Sequence, residues 1–162
     1  MTSEKEKATF AGGCFWGVEY LFSRIEGVVK TTVGYTDGKS KDPNYQQVCS
    51  GNTGHAEAVE ILFNPIIISY ENLLDIFFKN HDPTTPNRQG VDVGSQYRSA
   101  IFYHDQKQLE FAKTMINSLD KTNLFSRPIV TQIVPATQFY HAEEYHQKYF
   151  DKNGIKGCSI HN

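Results

Sequence analysis

The order of strand-like and helix-like segments is the feature that most constrains the fold of this chain. Alternating apolar residues predict four strands, over residues 7–13, 28–38, 56–65 and 98–104. Apolar stripes at helical spacing predict two helices, one from Cys14 to a stop at Gly27 and one over residues 69–82, capped by Ser69. Strand, helix, strand, strand, helix, strand is the order of a ferredoxin-like core. We therefore predict an α+β fold with a two-layer βαββαβ core.

The rest of the sequence predicts three elements appended to that core. They are a helix that begins at Asp105, a strand over residues 127–135 and a short helix over residues 142–150. No repeat, low-complexity tract or linker interrupts the chain, so we predict a single domain over residues 1–162. Within it, residues 1–6 are expected to form a flexible N-terminus and residues 151–162 a flexible, mobile C-terminal tail.

Composition and charge argue against several classes of function. The net charge of -2 comes from interspersed charges of both signs, so the sequence lacks the basic surface of a nucleic-acid-binding or membrane-binding protein. No apolar run is long enough to span a bilayer, and the charged first residues lack the apolar region of a signal peptide. Three cysteines, Cys14, Cys49 and Cys158, make an odd number that argues against a secreted disulfide framework. We therefore predict a cytoplasmic protein with reduced thiols.

Cys14 stands where a predicted strand turns into a helix, between two glycines and an aromatic pair. If the helix begins here, the sulfur lies beside unpaired backbone N–H groups and the positive end of the helix dipole, which favour the thiolate. Gly12 and Gly13 let the backbone turn sharply and leave space above the sulfur. A cysteine is more often a small buried hydrophobe, and Phe15 and Trp16 can be ordinary core residues. The flanking glycines favour a reactive thiol with an aromatic wall.

Glu57 is an acid on an apolar strand face. Alternation along its strand places it on the same side as Val59, Ile61 and Phe63. Desolvation on that face would raise the pKa of the carboxyl group and favour the protonated, proton-donating form. Because residue 57 lies close to the start of the strand, a side chain that remains in water explains the pattern equally well.

Two loops that contain glycine each place a tyrosine and an acid ahead of, or at, the start of a strand. One loop carries Tyr45 and leads to Glu57, and the other carries Asp92 and Tyr97. Loop tyrosines ordinarily cover the surface of a protein. Loops that lead into strands of one sheet can, however, converge, here above Cys14.

Four blocks of sequence carry a family resemblance. They are GCFWG at 13–17, SGNTGHAE at 50–57, VDVGSQYRS at 91–99 and AEEYHQKYF at 142–150. In their order and spacing they resemble the peptide methionine sulfoxide reductase A family, over nearly the whole chain from about residue 7 to residue 158. The resemblance implies a catalytic domain, a thiol-dependent oxidoreductase. It would reduce the S epimer of free and protein-bound methionine sulfoxide and so repair oxidative damage.

The resemblance also implies how the reacting groups divide their roles. Cys14 corresponds to the nucleophile that attacks the sulfoxide sulfur and becomes a sulfenic acid. Glu57 corresponds to the acid that protonates the sulfoxide oxygen, and Tyr45 and Tyr97 correspond to the tyrosines that polarise it. Asp92 corresponds to an acid that helps to order the site.

Substrate binding and recycling complete the implied roles. Phe15 and Trp16 correspond to the aromatic pair that holds the methyl group of the substrate. Cys158 corresponds to the resolving cysteine, which forms a disulfide with Cys14 that thioredoxin reduces. Cys49 matches a position that is not usually assigned to recycling. A monomer without a cofactor, a metal, a nucleic acid or a membrane partner is expected.

Two other functional classes are compatible with parts of the sequence. A thiol hydrolase or transferase would pair Cys14 with a histidine base, for which His55 is the best candidate, although no Cys-His-Asn order is evident. A non-enzymatic interaction module would bind partners through exposed Phe15 and Trp16, but it gives no use for Glu57 and the tyrosines. A zinc site is only weakly indicated, because the cysteines and histidines lie in separate regions.

Overall fold

The computed structural model describes residues 4–154 of the chain. The strands are β1 (Glu6–Ala11), β2 (Val28–Thr36), β3 (Ala56–Phe63), β4 (Arg88–Gln89), β5 (Asp92–Val93), β6 (Ala100–Tyr103), β7 (Gln132–Pro135) and β8 (Phe139–His141). The α-helices are α1 (Phe15–Ser23), α2 (Tyr45–Cys49), α3 (Tyr70–Lys79), α4 (Gln106–Lys121) and α5 (Tyr149–Lys152), and 3-10 helices cover Ser95–Tyr97 and Glu144–His146. Within these residues, no helix has the length and apolar character needed to cross a membrane.

Six of the strands form one sheet in the order β7-β6-β1-β3-β2-β8, and β4 pairs with β5 in a separate hairpin. β6 and β7 run parallel, whereas the other neighbouring strands of the large sheet are antiparallel. Together with the helices, this sheet confirms the predicted α+β class. β7 and β8 extend the sheet on both sides, so a four-stranded ferredoxin-like description does not cover the observed topology.

An aromatic core fixes the end of β1, from which the chain enters α1. Phe10 of β1 is fully buried, and its ring stacks on Phe77 of α3 with centroids 4.8 Å apart. The ring of Phe22 in α1 also contacts the Phe10 ring, with centroids 5.5 Å apart. β1 also pairs with β3 on one edge and with β6 on the other. Because its core face and both edges are occupied, β1 holds the turn that follows it, with Cys14, in a defined place.

The two predicted loops, which carry Tyr45 and Tyr97, contain short elements of their own. The polar loop at 39–55 contains α2, whose N-cap Asn44 accepts a hydrogen bond from the Gln47 N–H while the Gln47 side chain accepts one from the Asn44 N–H. The loop that carries Asp92 and Tyr97 contains the β4–β5 hairpin. β7 covers only the last four residues of the strand predicted over 127–135. The Val130 N–H donates to the carbonyl of Pro83 and so does not take part in the hydrogen bonds between β7 and β6.

The helix predicted over residues 142–150 is wrong. Lys148 adopts a left-handed conformation, with φ of 55°, and separates the 3-10 helix Glu144–His146 from α5. A right-handed helix cannot continue through such a residue. β8, which the sequence analysis did not predict, precedes this segment and pairs with β2.

The predicted flexible ends also need correction where the structure describes them. Glu6 already belongs to β1, and α5 carries helical structure through Lys152, into the range predicted as a tail. The remainder of the tail prediction, at residues 155–162 with Cys158, lies outside the described residues.

Candidate active site

Cys14 is the N-cap of α1, as the sequence predicts. Its carbonyl oxygen accepts hydrogen bonds from the N–H groups of Gly17 and Val18 at 3.3 and 3.4 Å, and the residue is half-buried. Gly13 has a φ of 97°, and a Cβ there would lie 2.8 Å from Cγ of Gln89, so this turn requires glycine. The turn places the Cys14 thiol at the positive end of the helix dipole, which favours the thiolate.

Glu57 is buried beside the first turn of α1 and is only 1% exposed. Its Oε1 accepts a hydrogen bond from the Phe15 N–H at 3.2 Å, and its Oε2 has no hydrogen-bond partner within residues 4–154. Burial, aided by the charge of Asp92, raises the pKa of Glu57 to about 8 although the Phe15 N–H opposes the shift. The predicted desolvation is confirmed, and the alternative of a side chain in water is wrong. At neutral pH the site therefore holds a carboxylic acid with one unused oxygen.

Tyr45 and Tyr97 are brought together with Glu57 by the two loops. Tyr45 begins α2, and Tyr97 ends the 3-10 helix that follows the β4–β5 hairpin. Burial raises the pKa of both tyrosines well above the usual value, and the negative charge that Glu57 can carry raises both further. Asp92 and Cys14 also act electrostatically on Tyr97. Both hydroxyl groups therefore keep their protons at neutral pH and can act as hydrogen-bond donors. Tyr97 lies within electrostatic reach of Cys14, whereas the Tyr45 hydroxyl is hydrogen-bonded to the Cys49 side chain.

Phe15 and Trp16 occupy different environments. Phe15 is fully buried, and its ring contacts Tyr35 at 5.7 Å and His146 at 5.2 Å, so it cannot serve as the exposed patch of an interaction module. Trp16 is half-buried, and its Nε1 donates a hydrogen bond to Nδ1 of His146 at 2.9 Å. The indole also lies parallel to Tyr149, with ring centroids 3.8 Å apart. The C-terminal segment, residues 146–152, therefore sets the orientation of Trp16 through two contacts, one from His146 and one from Tyr149.

Glu143 and His146 support the site, and the sequence analysis assigned them no role. Glu143 accepts hydrogen bonds from the Tyr35 hydroxyl at 2.8 Å and the Tyr45 N–H at 2.9 Å. Burial opposes its charge, but these hydrogen bonds outweigh burial and lower the pKa of Glu143. His146 is fully buried, and burial lowers its pKa. Its ring is therefore neutral, and its Nδ1 accepts the hydrogen bond from Trp16. Their place in the block at 142–150 is the signal that points to them.

A comparison with known families decides what this arrangement belongs to. A family model described as peptide methionine sulfoxide reductase matches residues 6–162. The chain belongs to the peptide methionine sulfoxide reductase family. Members of this family are oxidoreductases that reduce methionine sulfoxide. The resemblance carried by the four sequence blocks is thus confirmed.

Individual relatives agree with this membership. The chain is 58% identical over 150 residues to the peptide methionine sulfoxide reductase MsrA of Methanosarcina acetivorans, covering 93% of this chain and 80% of the relative. The crystal structure of Mxr1 from Saccharomyces cerevisiae in reduced form is 38% identical with a TM-score of 0.90, covering 98% of this chain and 92% of that chain. A crystal structure of Mxr1 in complex with Trx2 is 26% identical with a TM-score of 0.64, covering 90% of this chain and 85% of that chain.

In this member of the reductase family, His55 stabilises a turn. Its Nδ1 accepts a hydrogen bond from the Gly38 N–H at 3.0 Å, and its Nε2 donates to the carbonyl oxygen of Ser40 at 2.7 Å. Neither ring nitrogen remains to act as a base for Cys14, so the hydrolase alternative does not fit. Cys49 lies exposed at the end of α2. The described part of the chain contains no cluster of three His, Cys, Asp or Glu side chains that could hold a metal ion.

Proposed function

We propose that this protein reduces the S epimer of methionine sulfoxide, free and in oxidised proteins, and so repairs oxidative damage. One observation supports this proposal most strongly. A cysteine at a helix N-terminus lies in the same site as a buried, protonated carboxyl group whose Oε2 has no partner in the described residues. A sulfoxide oxygen is a poor leaving group until it is protonated or strongly hydrogen-bonded. Glu57 can supply the proton, and Cys14 can supply the electrons.

In the proposed reaction, the Cys14 thiolate sulfur attacks the sulfoxide sulfur while Glu57 transfers its proton to the sulfoxide oxygen. The bond between the methionine sulfur and that oxygen then breaks as the hydroxyl group passes to Cys14. The bond that the attack formed between the two sulfurs also breaks, its electron pair stays on the methionine sulfur, and Glu57 is left as a carboxylate. Methionine is released, and Cys14 is left as a sulfenic acid. The sulfoxide gains two electrons and the Cys14 sulfur loses two, so this step is balanced by groups of the chain and the substrate.

Tyr45 and Tyr97 would add neutral donors to the sulfoxide oxygen. A hydroxyl group must keep its proton to stabilise developing negative charge, and the raised pKa of both tyrosines supports this role. Asp92 would order the site electrostatically, because its charge acts on both Glu57 and Tyr97 and helps to keep Glu57 protonated.

Phe15 and Trp16 would form the aromatic wall that holds the methyl group of the substrate, with half-buried Trp16 as its accessible face and fully buried Phe15 as its support. Apolar contacts of this kind discriminate weakly between a sulfoxide and a thioether, so the contacts to the oxygen must provide most of the selectivity. The sulfur is chiral, and only the S epimer is expected to present its oxygen to Glu57 and its methyl group to Trp16 at the same time.

Recycling of Cys14 would use Cys158, which lies outside the described residues. Its thiol would attack the sulfenic sulfur of Cys14, release water and form a disulfide that thioredoxin reduces. The similarity to Mxr1 in complex with Trx2 supports such a reductant. We further propose a monomer in the cytoplasm, because the proposed site comes from one chain and that compartment keeps thiols reduced.

Incubation with each sulfoxide epimer and dithiothreitol tests the proposed function. Methionine should form from the S epimer alone, and Cys14→Ser should form none, because a hydroxyl group cannot become the electron-donating thiolate. Comparable rates on the R epimer would contradict the proposed geometry. Methionine formation by Cys14→Ser would contradict the mechanism as a whole.

Recycling has its own test, in which the two other cysteines serve as matched variants. Cys158→Ser should form about one methionine per enzyme, since sulfenic acid formation needs only Cys14. It should then stall with thioredoxin and show no Cys14 disulfide by mass spectrometry. Cys49→Ser should continue to turn over. Stalling of the Cys49 variant alone would reverse the assignment.

A further inference from the structure

The C-terminal segment packs along α1. Successive contacts join Trp16 with Tyr149, Glu19 with Lys148, Tyr20 with Phe150 and Arg24 with Asp151. Trp16 and Glu19 lie one helical turn apart and therefore on the same face of α1. The ion pair between Arg24 and Asp151 is exposed, whereas Glu19 is only 1% exposed. The buried contact between the segment and α1 is therefore the one between Lys148 and Glu19, next to Trp16.

Both oxygens of Glu19 are used in holding this segment. Oε1 accepts a hydrogen bond from the Lys148 N–H at 2.7 Å, and Oε2 accepts one from the Thr31 hydroxyl at 2.9 Å. The Lys148 ammonium lies 3.9 Å from Oε2 and donates to the Thr31 hydroxyl at 2.6 Å. Glu19 thus joins α1, β2 and the segment at one buried point.

The residue that Glu19 holds is the one where the segment turns. Lys148 has a φ of 55°, a conformation that is unfavourable for a residue with a side chain. The turn separates His146, which accepts the Trp16 N–H, from Tyr149, which stacks on the Trp16 ring. A change in this turn would therefore move both contacts that orient the indole.

We propose that Glu19 is a positioning residue for Trp16: by accepting the Lys148 N–H it fixes the left-handed turn that places Tyr149 flat on the indole. The proposal rests on the proposed function in one respect, the role of Trp16 in holding the substrate methyl group. Glu19 itself would not touch the substrate. Loss of Glu19 would change the orientation of Trp16 and would therefore weaken substrate binding.

Trp16 is the single tryptophan of the chain, so its fluorescence reports on this contact directly. Glu19→Ala should shift the emission of Trp16 and increase its quenching by acrylamide. KM for methionine S-sulfoxide should rise roughly tenfold, the lower end of the contribution of one apolar group to selectivity. The single-turnover rate at saturating substrate should change less, because a binding interaction common to ground and transition state is lost. Arg24→Gln is the matched control on the same interface, and its KM should stay within about twofold because exposed ion pairs contribute little.

Two conservative variants keep the test decisive if Glu19→Ala does not fold. Glu19→Gln retains an oxygen that reaches the Lys148 N–H and should restore both emission and KM. Glu19→Asp retains the charge but withdraws the carboxylate by one methylene, and should shift emission and raise KM. Wild-type emission and KM in Glu19→Asp would overturn the proposal, as would an emission shift with unchanged KM. If the wild-type enzyme reduced no sulfoxide, the proposed function would fail, while the emission series would still decide whether Glu19 orients Trp16.

Discussion

Glu57 and Glu19 are buried to the same degree, each 1% exposed, yet they serve different regions of the molecule. Glu19 has both oxygens in hydrogen bonds, from the Lys148 N–H and the Thr31 hydroxyl, with an ammonium group nearby. Glu57 accepts one hydrogen bond, from the Phe15 N–H, and its other oxygen has no partner among the described residues. Burial raises the pKa of both groups. The two acids therefore share the same solvent exposure but differ in the number of their partners.

This difference indicates which buried acid is available for chemistry. A buried polar atom without a partner reduces stability, and such atoms tend to persist where function uses them. The unused oxygen of Glu57 lies in the site that contains Cys14, whereas the oxygens of Glu19 are engaged in joining segments of the chain. Solvent exposure alone would have given the two acids the same role.

Replacement of each acid by glutamine should give the largest difference between the two regions, measured as the single-turnover rate. Glu57→Gln retains a hydrogen-bonding group but has no proton to transfer, so the single-turnover rate of methionine formation should fall by about 10²–10⁴-fold. Cys14 should remain open to alkylation in this variant. Glu19→Gln should change the rate by less than about threefold, since it removes no transition-state contact. Quenched-flow measurement of methionine checks both, and equal rates in the two variants would contradict the comparison.

Folding stability should also respond to Glu57. Its pKa rises from 4.5 in the unfolded chain to about 8 in the folded protein. The stability that this proton binding contributes is fully present below pH 4.5 and is lost as the pH rises to about 8. Glu57→Gln does not titrate, so at pH 7 it should be more stable than the wild type by about 3 kcal/mol.

Urea unfolding at pH 5 and pH 7 measures this effect. The advantage of Glu57→Gln should be much smaller at pH 5, where the unfolded chain is also partly protonated. An advantage that does not depend on pH would mean that burial does not raise the pKa of Glu57. Glu19→Ala should instead lower the free energy of unfolding by about 1–3 kcal/mol, because it leaves the Lys148 N–H and the Thr31 hydroxyl without their acceptor.

The smallest expected effect concerns a single partner of Glu19. Thr31→Val keeps the shape of the side chain but removes two hydrogen bonds, the one donated to Glu19 and the one accepted from the Lys148 ammonium. The free energy of unfolding should therefore fall by about 1–2 kcal/mol. The single-turnover rate should stay unchanged. Urea unfolding and the rate assay together check this variant. A loss of rate with wild-type stability would show that the Glu19 region takes part in the chemistry.

The parts of the site that depend on local periodicity could be predicted from the sequence. The glycine turn and the apolar stripe placed Cys14 at the start of α1, and the alternation of β3 placed Glu57 on the core face. Both features involve neighbouring residues, for which spacing determines direction. Whether Glu57 was buried needed the structure, because burial at a strand end depends on what covers it.

The C-terminal support of the site could not be predicted in the same way. The hydrogen bond between Trp16 and His146 joins residues 130 positions apart, and periodicity carries no information about such pairs. The left-handed Lys148 interrupts a segment whose composition predicts a helix. α2 is five residues long, too short for an apolar stripe, although the spacing of Asn44 and Gln47 contains its capping box.

The pH dependence of the single-turnover rate on the S epimer tests most directly whether Glu57 donates the proton. The wild-type rate should decline as the pH rises above about 8, because the carboxyl group loses its proton with that pKa. Glu57→Gln should react slowly and should lack this decline. A wild-type rate that stays level or rises above pH 9, or the same decline in both proteins, would contradict the assignment of Glu57 as the acid.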